Sequence, residues 1–233
     1  MRTGTSNVIS TDTRFMLFSV WFKLTAAGYD TARELGPTLG GGFGYMRITT
    51  GNLFEIRYEQ IGGAEAVLCQ NATSLRNEDP HHLLVSFDLN AATPFIHIYL
   101  DDVADTGTPT TLTQLTGSEF IDWSRPQCGI WSSNGAPDSS SFDGGQAEYW
   151  WHNSAALDLS VEANRRKFRD ADGFPVDLGS DGSTPLGVQP FFYFHLDPAQ
   201  TAEDYRDVNL GSAGGSWTQH NGPLATSAWS PSD

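Results

Sequence analysis

The stretch Arg14-Phe-Met-Leu-Phe-Ser-Val-Trp-Phe-Lys-Leu24 decides the fold. It is rich in aromatic and large aliphatic residues, and both of its alternating sides are largely apolar. A strand with two apolar sides lies inside a sandwich rather than on its surface. The run is about half a membrane span in length, and it contains Ser19 and Lys23, so it does not read as a membrane crossing.

Working outward, strand signals dominate. Leu53-Phe-Glu-Ile-Arg-Tyr-Glu59 alternates cleanly, with Phe54, Ile56 and Tyr58 on one side and Glu55, Arg57 and Glu59 on the other. Further short strands are expected at Ala64–Gln70, His82–Asp88, Phe95–Leu100, Phe120–Trp123, Cys128–Trp131, Ala147–His152 and Phe191–His195. Breakers separate them: Gly40-Gly41-Gly42, Gly62-Gly63, Asn90 to Pro94, Asn134-Gly135 and Asp143-Gly144-Gly145. Short strands at this spacing make an all-β sandwich or barrel. No repeat of fixed period and no linker splits the chain. The reading is an N-terminal arm over 1–13, one β-sandwich domain over 14–222 and a tail over 223–233.

Composition narrows the classes. With 233 residues the chain can bury a sizeable core. It is 12% aromatic and only 18% charged, which is unlike a disordered segment. Asp and Glu total 28 against 13 Lys and Arg, a net charge of −15. That balance cannot hold nucleic-acid phosphates by bulk charge, so no nucleic-acid partner is expected. The polar start MRTGTSNVIS lacks the apolar core of a signal peptide, and no membrane association is expected. Cys69 and Cys128 form no disulfide framework and read as buried free thiols.

One segment departs from the β pattern. Leu159 to Arg169 reads as a helix of two to three turns, with Ser160 as N-cap, Glu162 in the first turn and Arg165, Arg166, Lys167 and Arg169 toward its end. Asp172-Gly173 and Pro175 would stop it. Its cations are expected to bond acidic neighbours such as Asp170, Asp172 and Asp177 on a solvated face; the sharper reading is a docking surface for an acidic partner.

Two blocks carry a family resemblance. Pro80-His-His-Leu-Leu-Val-Ser-Phe-Asp-Leu-Asn-Ala-Ala-Thr-Pro-Phe-Ile-His-Ile-Tyr-Leu-Asp-Asp-Val103 resembles the paired central strands of laminin-G-like, concanavalin A-like lectin/glucanase domains. Pro80 stands where those domains often have Trp, and Asp101-Asp102 replaces their Asp-Gly turn. Ala147-Glu-Tyr-Trp150, Leu157-Asp-Leu-Ser160, Asn164-Arg-Arg-Lys-Phe168 and the run from Pro175 to Gly187 resemble a block that recurs in phage and prophage virion proteins carrying laminin-G-like domains. Together the resemblance spans Phe15 to about Asn221. It implies a concanavalin A-like jelly roll of two antiparallel sheets with one short helix near 160–169. It also implies a non-enzymatic virion role, as a head fibre or decoration protein or a tail fibre or tail-tip component. Such a protein is made in the bacterial host cytoplasm. Its expected partners are capsid, portal or tail proteins, host surface polysaccharide and further copies of itself.

Three chemistries have candidate residues in this chain. For glycan binding, the aromatic candidates are Trp131, Tyr149, Trp150 and Trp151, and the alternating set Phe95, His97 and Tyr99 opposite Ile96, Ile98 and Leu100. One of those two alternating sets is expected to be core and the other to line a groove, with Trp131 and Trp150 joining the site. For calcium, which laminin-G-like and lectin domains often bind, the oxygen donors are Asp88 and Asn90, Asp101 and Asp102, and Asp170 with Asp172. For glycoside hydrolysis on the same fold, Glu55 and Glu59 share a strand side. However, Arg57 stands where a glucanase would carry Asp, and their Cα atoms would be about 13 Å apart on a flat strand. A retaining pair needs carboxyl groups about 5 Å apart. The expectation is therefore no enzyme, with a polysaccharide-degrading hydrolase and a cellular lectin as the alternatives. His81 and His82 are adjacent and cannot share a strand side as metal ligands. The Asn71-Ala-Thr73 sequon carries meaning only in a secreted chain.

Overall fold

The computed structural model describes residues 2–4, 11–24, 32–75, 79–124, 128–130, 142, 144–195, 209–212 and 217–219. In chain order the elements are β1 (Arg2–Gly4), β2 (Phe15–Leu24), β3 (Arg33–Glu34), β4 (Pro37–Leu39), β5 (Gly44–Ile48), β6 (Phe54–Glu59), β7 (Glu65–Gln70), β8 (Pro80–Asp88), β9 (Phe95–Leu100), β10 (Val103–Ala104), β11 (Thr111–Leu112), β12 (Cys128–Ile130), β13 (Gly144–His152), α1 (Glu162–Arg165), β14 (Phe192–Phe194) and β15 (Trp217–Gln219). Every pairing among them is antiparallel.

Two sheets result. One runs β10-β9-β8-β2-β13-β14; the other runs β11-β7-β6-β5-β4-β12-β1-β15, with β3 on β5. β2 sits in the middle of the first, paired in unbroken register with β8 from Phe15↔Asp88 to Lys23↔Pro80 and with β13 on its other flank. Met16, Phe18, Val20, Phe22 and Leu24 point inward. They meet Met46, Ile48, Phe54, Ile56, Tyr58 and Val67 of the opposite sheet in one buried cluster. Trp123 fills its centre, 4.7 Å from the Tyr58 ring and 5.2 Å from Trp151.

The other side of β2 explains its second apolar set. Leu17, Leu84, Trp150 and Tyr193 face away from the sandwich, yet all are buried, because the chain between β13 and β14 folds back over them. Leu159, Phe168 and Leu178 of that covering segment complete a second apolar layer. Burying each such side chain contributes roughly 1.5–3 kcal/mol, which holds a segment that has little regular structure of its own.

Several sequence expectations are corrected here. The helix is a single turn, Glu162–Arg165, with Val161 rather than Ser160 as N-cap; the Ser160 hydroxyl donates to Asp158 instead. Phe168 is drawn into the second apolar layer and Arg169 bridges to Pro175, so the backbone cannot continue as a helix. Phe120–Trp123 forms no strand: Ile121 makes isolated bridges to Thr13 and Gln60. Gly144-Gly145 does not break the chain but opens β13, and a Cβ on Gly144 would lie 2.3 Å from the Lys23 carbonyl oxygen, so glycine permits close strand approach there. Arg2–Gly4 pairs as a strand between β12 and β15. Cys69 is a buried thiol that burial pushes up to about 11. Cys69 lies on β7 and Cys128 on β12, with β6, β5 and β4 between them in the sheet.

Candidate functional site

The alternation along β9 sorts its residues as expected: Ile96 and Ile98 enter the inner core, and Phe95, His97 and Tyr99 form a half-buried row on the outer side of the sheet. The covering segment docks beside this row. The Leu157 N–H donates to Ser86 Oγ at 2.9 Å, and the Leu159 N–H donates to His97 Nδ1 at 3.1 Å; Ser86 and His97 are cross-strand partners. His97 therefore carries its proton on Nε2. Burial holds its pKa below the ordinary histidine value against the opposing charge of Asp158, whose Oδ1 lies 3.5 Å from Nδ1. Phe95 stacks on His97 with centroids 4.8 Å apart, and the Arg165 guanidinium lies 4.6 Å from the Tyr99 ring centroid. The row is thus an aromatic surface with one oriented imidazole and one exposed carboxylate at its flank.

Next to it, Asp101 and Asp102 form the two-residue turn between β9 and β10, with φ of 50° and 68°. Both positive values match the hairpin turn that usually takes Asn-Gly or Asp-Gly. Asp102 accepts from Arg165 Nε at 2.6 Å and Arg166 Nη2 at 2.7 Å. Asp101 accepts from His81 Nδ1 at 2.7 Å, the His82 N–H at 2.8 Å and Arg169 Nη1 at 3.3 Å. Burial pushes both carboxyls up, but these donors outweigh it and hold both below the ordinary aspartate range. Arg165, Arg166 and Arg169 therefore clamp the covering segment to this turn rather than bonding Asp170, Asp172 and Asp177, while Lys167 donates to the Pro185 carbonyl.

The calcium candidates do not come together. Asp88 and Asn90 lie at one end of the β8–β9 hairpin and Asp101 and Asp102 at the other, roughly 20 Å away by strand rise. Asp88 Oδ1 accepts the Asn90 and Ala91 N–H groups, and Asn90 Oδ1 accepts from Arg14 at 2.9 Å. Asp101 and Asp102 are surrounded by arginines. Among the described residues no three His, Cys, Asp or Glu side chains converge as metal ligands. These residues do not fit a calcium ion.

Of the other aromatic candidates, Trp150 is fully buried; its Nε1–H donates to the Gly182 carbonyl at 2.8 Å and its ring meets Phe168 edge-on. Tyr149 and Trp151 point the opposite way, into the inner core. A bulge at Glu148, with φ of 48°, shifts the register of β13 and sets these directions. None of the three presents a platform, and Trp131 lies outside the described residues.

Glu55 and Glu59 belong to an ion-pair ladder on the outer side of the other sheet. Arg47 pairs with Glu55 at 2.7 Å; Arg57 pairs with Glu59 at 2.5 Å and with Glu65 at 2.9 Å. Burial pushes the neighbouring Tyr45 phenol up to about 12, with Glu55 adding to the effect. At the sequon, Asn71 is buried and its amide donates to Asp105 at 2.7 Å.

Sequence reading missed the polar network beneath the cover. Ser19 Oγ lies 2.9 Å from His82 Nε2, Trp21 stacks on His82 at 4.7 Å, and Arg169 lies 5.2 Å from the Trp21 centroid. The one usable signal was Ser19, a polar residue inside an otherwise apolar strand. Asp158 was also missed, because nothing local places it beside His97.

No family profile and no curated protein matches the sequence. Among solved structures, a candidate carbohydrate-binding protein of Bacteroides ovatus superposes with a TM-score of 0.56 at 14% identity, over 86% of this chain and 50% of that one. The chain thus spans half of that neighbour. A Trypanosoma rangeli sialidase matches with a TM-score of 0.42 at 12% identity, over 64% of this chain and 22% of that one. A heptameric SAP-like pentraxin of Limulus polyphemus matches with a TM-score of 0.39 at 7% identity, over 68% and 77%. The chain is an all-β jelly-roll sandwich of two antiparallel sheets.

Proposed function

We propose that the chain is a non-enzymatic glycan-binding protein and that the Phe95–His97–Tyr99 row is its binding surface. The observation that carries this reading is the row itself: partly exposed rings along one strand, stacked and backed by the covering segment, with His97 and Asp158 as polar groups at their side. Rings supply flat apolar contact to a sugar face, and the polar groups orient it. The fold shared with a candidate carbohydrate-binding protein is consistent with this. The finer reading is a phage virion component that binds host surface polysaccharide, attached to capsid, portal or tail proteins. It rests on the likeness of the block from Ala147 to Gly187 to virion proteins. That block is the one that builds the cover and its clamp. Many copies on one particle would turn a weak single site into firm attachment.

Two measurements test the two levels. Phe95→Ala and Tyr99→Ala should each weaken retention on a polysaccharide panel tenfold or more with an unchanged circular dichroism spectrum; unchanged retention in both would remove the row from the site. Peptide mass spectrometry of density-banded particles from the source should find the chain at a fixed ratio to the major capsid protein. Absence from particles, with the protein expressed, would end the virion reading.

A further inference from the structure

The row's electrostatics specify the kind of glycan. We infer, building on the glycan-binding reading above, that the site takes an uncharged polysaccharide and that His97, locked in one tautomer, is its directional hydrogen-bond donor. Because Nδ1 accepts the Leu159 N–H at 3.1 Å, the imidazole is neutral and presents Nε2–H on the ring edge away from that bond, with a quarter of the side chain exposed. A fixed N–H donor matches a hydroxyl or ring oxygen.

The charges nearby disfavour an acidic sugar. Arg165, the cation over Tyr99, has Nε on Asp102 at 2.6 Å and Nη1 on the Leu159 carbonyl at 2.7 Å, and its side chain is only 14% exposed. Arg166 is engaged by Asp102 and Glu162, Lys167 by the Pro185 carbonyl and Arg169 by Asp101. A carboxylate, sulfate or phosphate on the ligand would have to compete with these partners for the guanidinium groups. It would also face the Asp158 carboxylate, 53% exposed beside His97, and a chain of net charge −15. A sugar hydroxyl, by contrast, can donate to Asp158 and accept from His97. From Phe95 to Tyr99 the row spans about 13 Å, longer than one sugar ring, so it suits a chain rather than a monosaccharide.

The test is affinity electrophoresis of the full chain through gels holding neutral polymers (dextran, galactan, mannan) or anionic ones (polygalacturonate, polysialic acid, teichoic acid), at low and high salt. Retardation by at least one neutral polymer, insensitive to salt, is expected. His97→Ala should reduce it at least tenfold. Since that change also removes the acceptor for Leu159, His97→Asn serves as the second variant: its side-chain oxygen can keep the Leu159 N–H, but its amide cannot reach where Nε2–H does. It should keep the melting temperature and still lose binding. Retardation confined to anionic polymers and abolished by salt would overturn the neutral-ligand inference while leaving the row a glycan site. Full binding by folded His97→Asn would overturn the role of His97. No retardation by any polymer would overturn the glycan reading itself.

Discussion

At the residue scale, the Asp101-Asp102 turn shows how a side chain can offset an unfavourable backbone. Both residues hold left-handed φ values that ordinarily favour glycine. Asp tolerates that region better than most residues, and here each carboxylate also anchors arginines of the cover. Asp102→Ala should lose both contributions, about 1 kcal/mol for the backbone and about 0.5 kcal/mol for each partly exposed ion pair, so about 2 kcal/mol in urea unfolding. Asp102→Gly should lose only the ion pairs and be about half as damaging. Equal losses in the two variants would show that backbone conformation contributes nothing at this turn.

At the element scale, the covering segment is held by side-chain anchors. Gly182 is one of its tightest points: φ is +75°, and a Cβ there would sit 2.8 Å from the Tyr193 ring, beside the carbonyl that accepts the Trp150 N–H. Gly182→Ala should destabilise by about 2 kcal/mol through strain and overpacking. The signature should be local: faster amide exchange over 157–187 with protection in β5, β6 and β7 retained. Uniform loss of protection would mean that the cover and the sandwich unfold as one unit. The sequence carried part of this. The apolar alternation of Phe15–Leu24 indicated burial on both sides, but which segment covered the outer side was not readable, because Leu157, Leu159 and Phe168 become a surface only when the loop folds back.

At the scale of the whole molecule, buried histidines link stability to pH. Burial depresses His82 to about 3, with the Arg169 charge adding to the effect, and burial depresses His152 to about 4. In the unfolded chain both titrate near 6.5. Between that value and the folded ones, the unfolded state binds more protons, so stability rises with pH there and is lost on acidification. Each histidine contributes a slope of about 1.4 kcal/mol per pH unit. Urea midpoints should therefore be flat above about pH 7 and fall from pH 6 to 4, and His82→Gln should flatten that fall. A midpoint constant from pH 7 to 4 would contradict the buried neutral state. Asp101 and Asp102, held low by their donors, add a loss only below the ordinary carboxylate range.

The sequence by itself determined the all-β class, the strand alternation of β6 and β9, most strand positions and the row of Phe95, His97 and Tyr99. Those follow from local periodicity, which tertiary contacts seldom reverse in strands with one apolar side. Only the tertiary structure decided the rest. It buried Trp150 under Gly182 and Phe168, cut the helix to one turn, turned Arg165, Arg166 and Arg169 onto Asp101 and Asp102, and set Asp158 beside His97. The burial of Trp150, the clamp on the turn and the placing of Asp158 each depend on residues about 20 to 70 positions apart meeting across the outer side of the sheet. The composition of a segment does not say which distant surface it will cover.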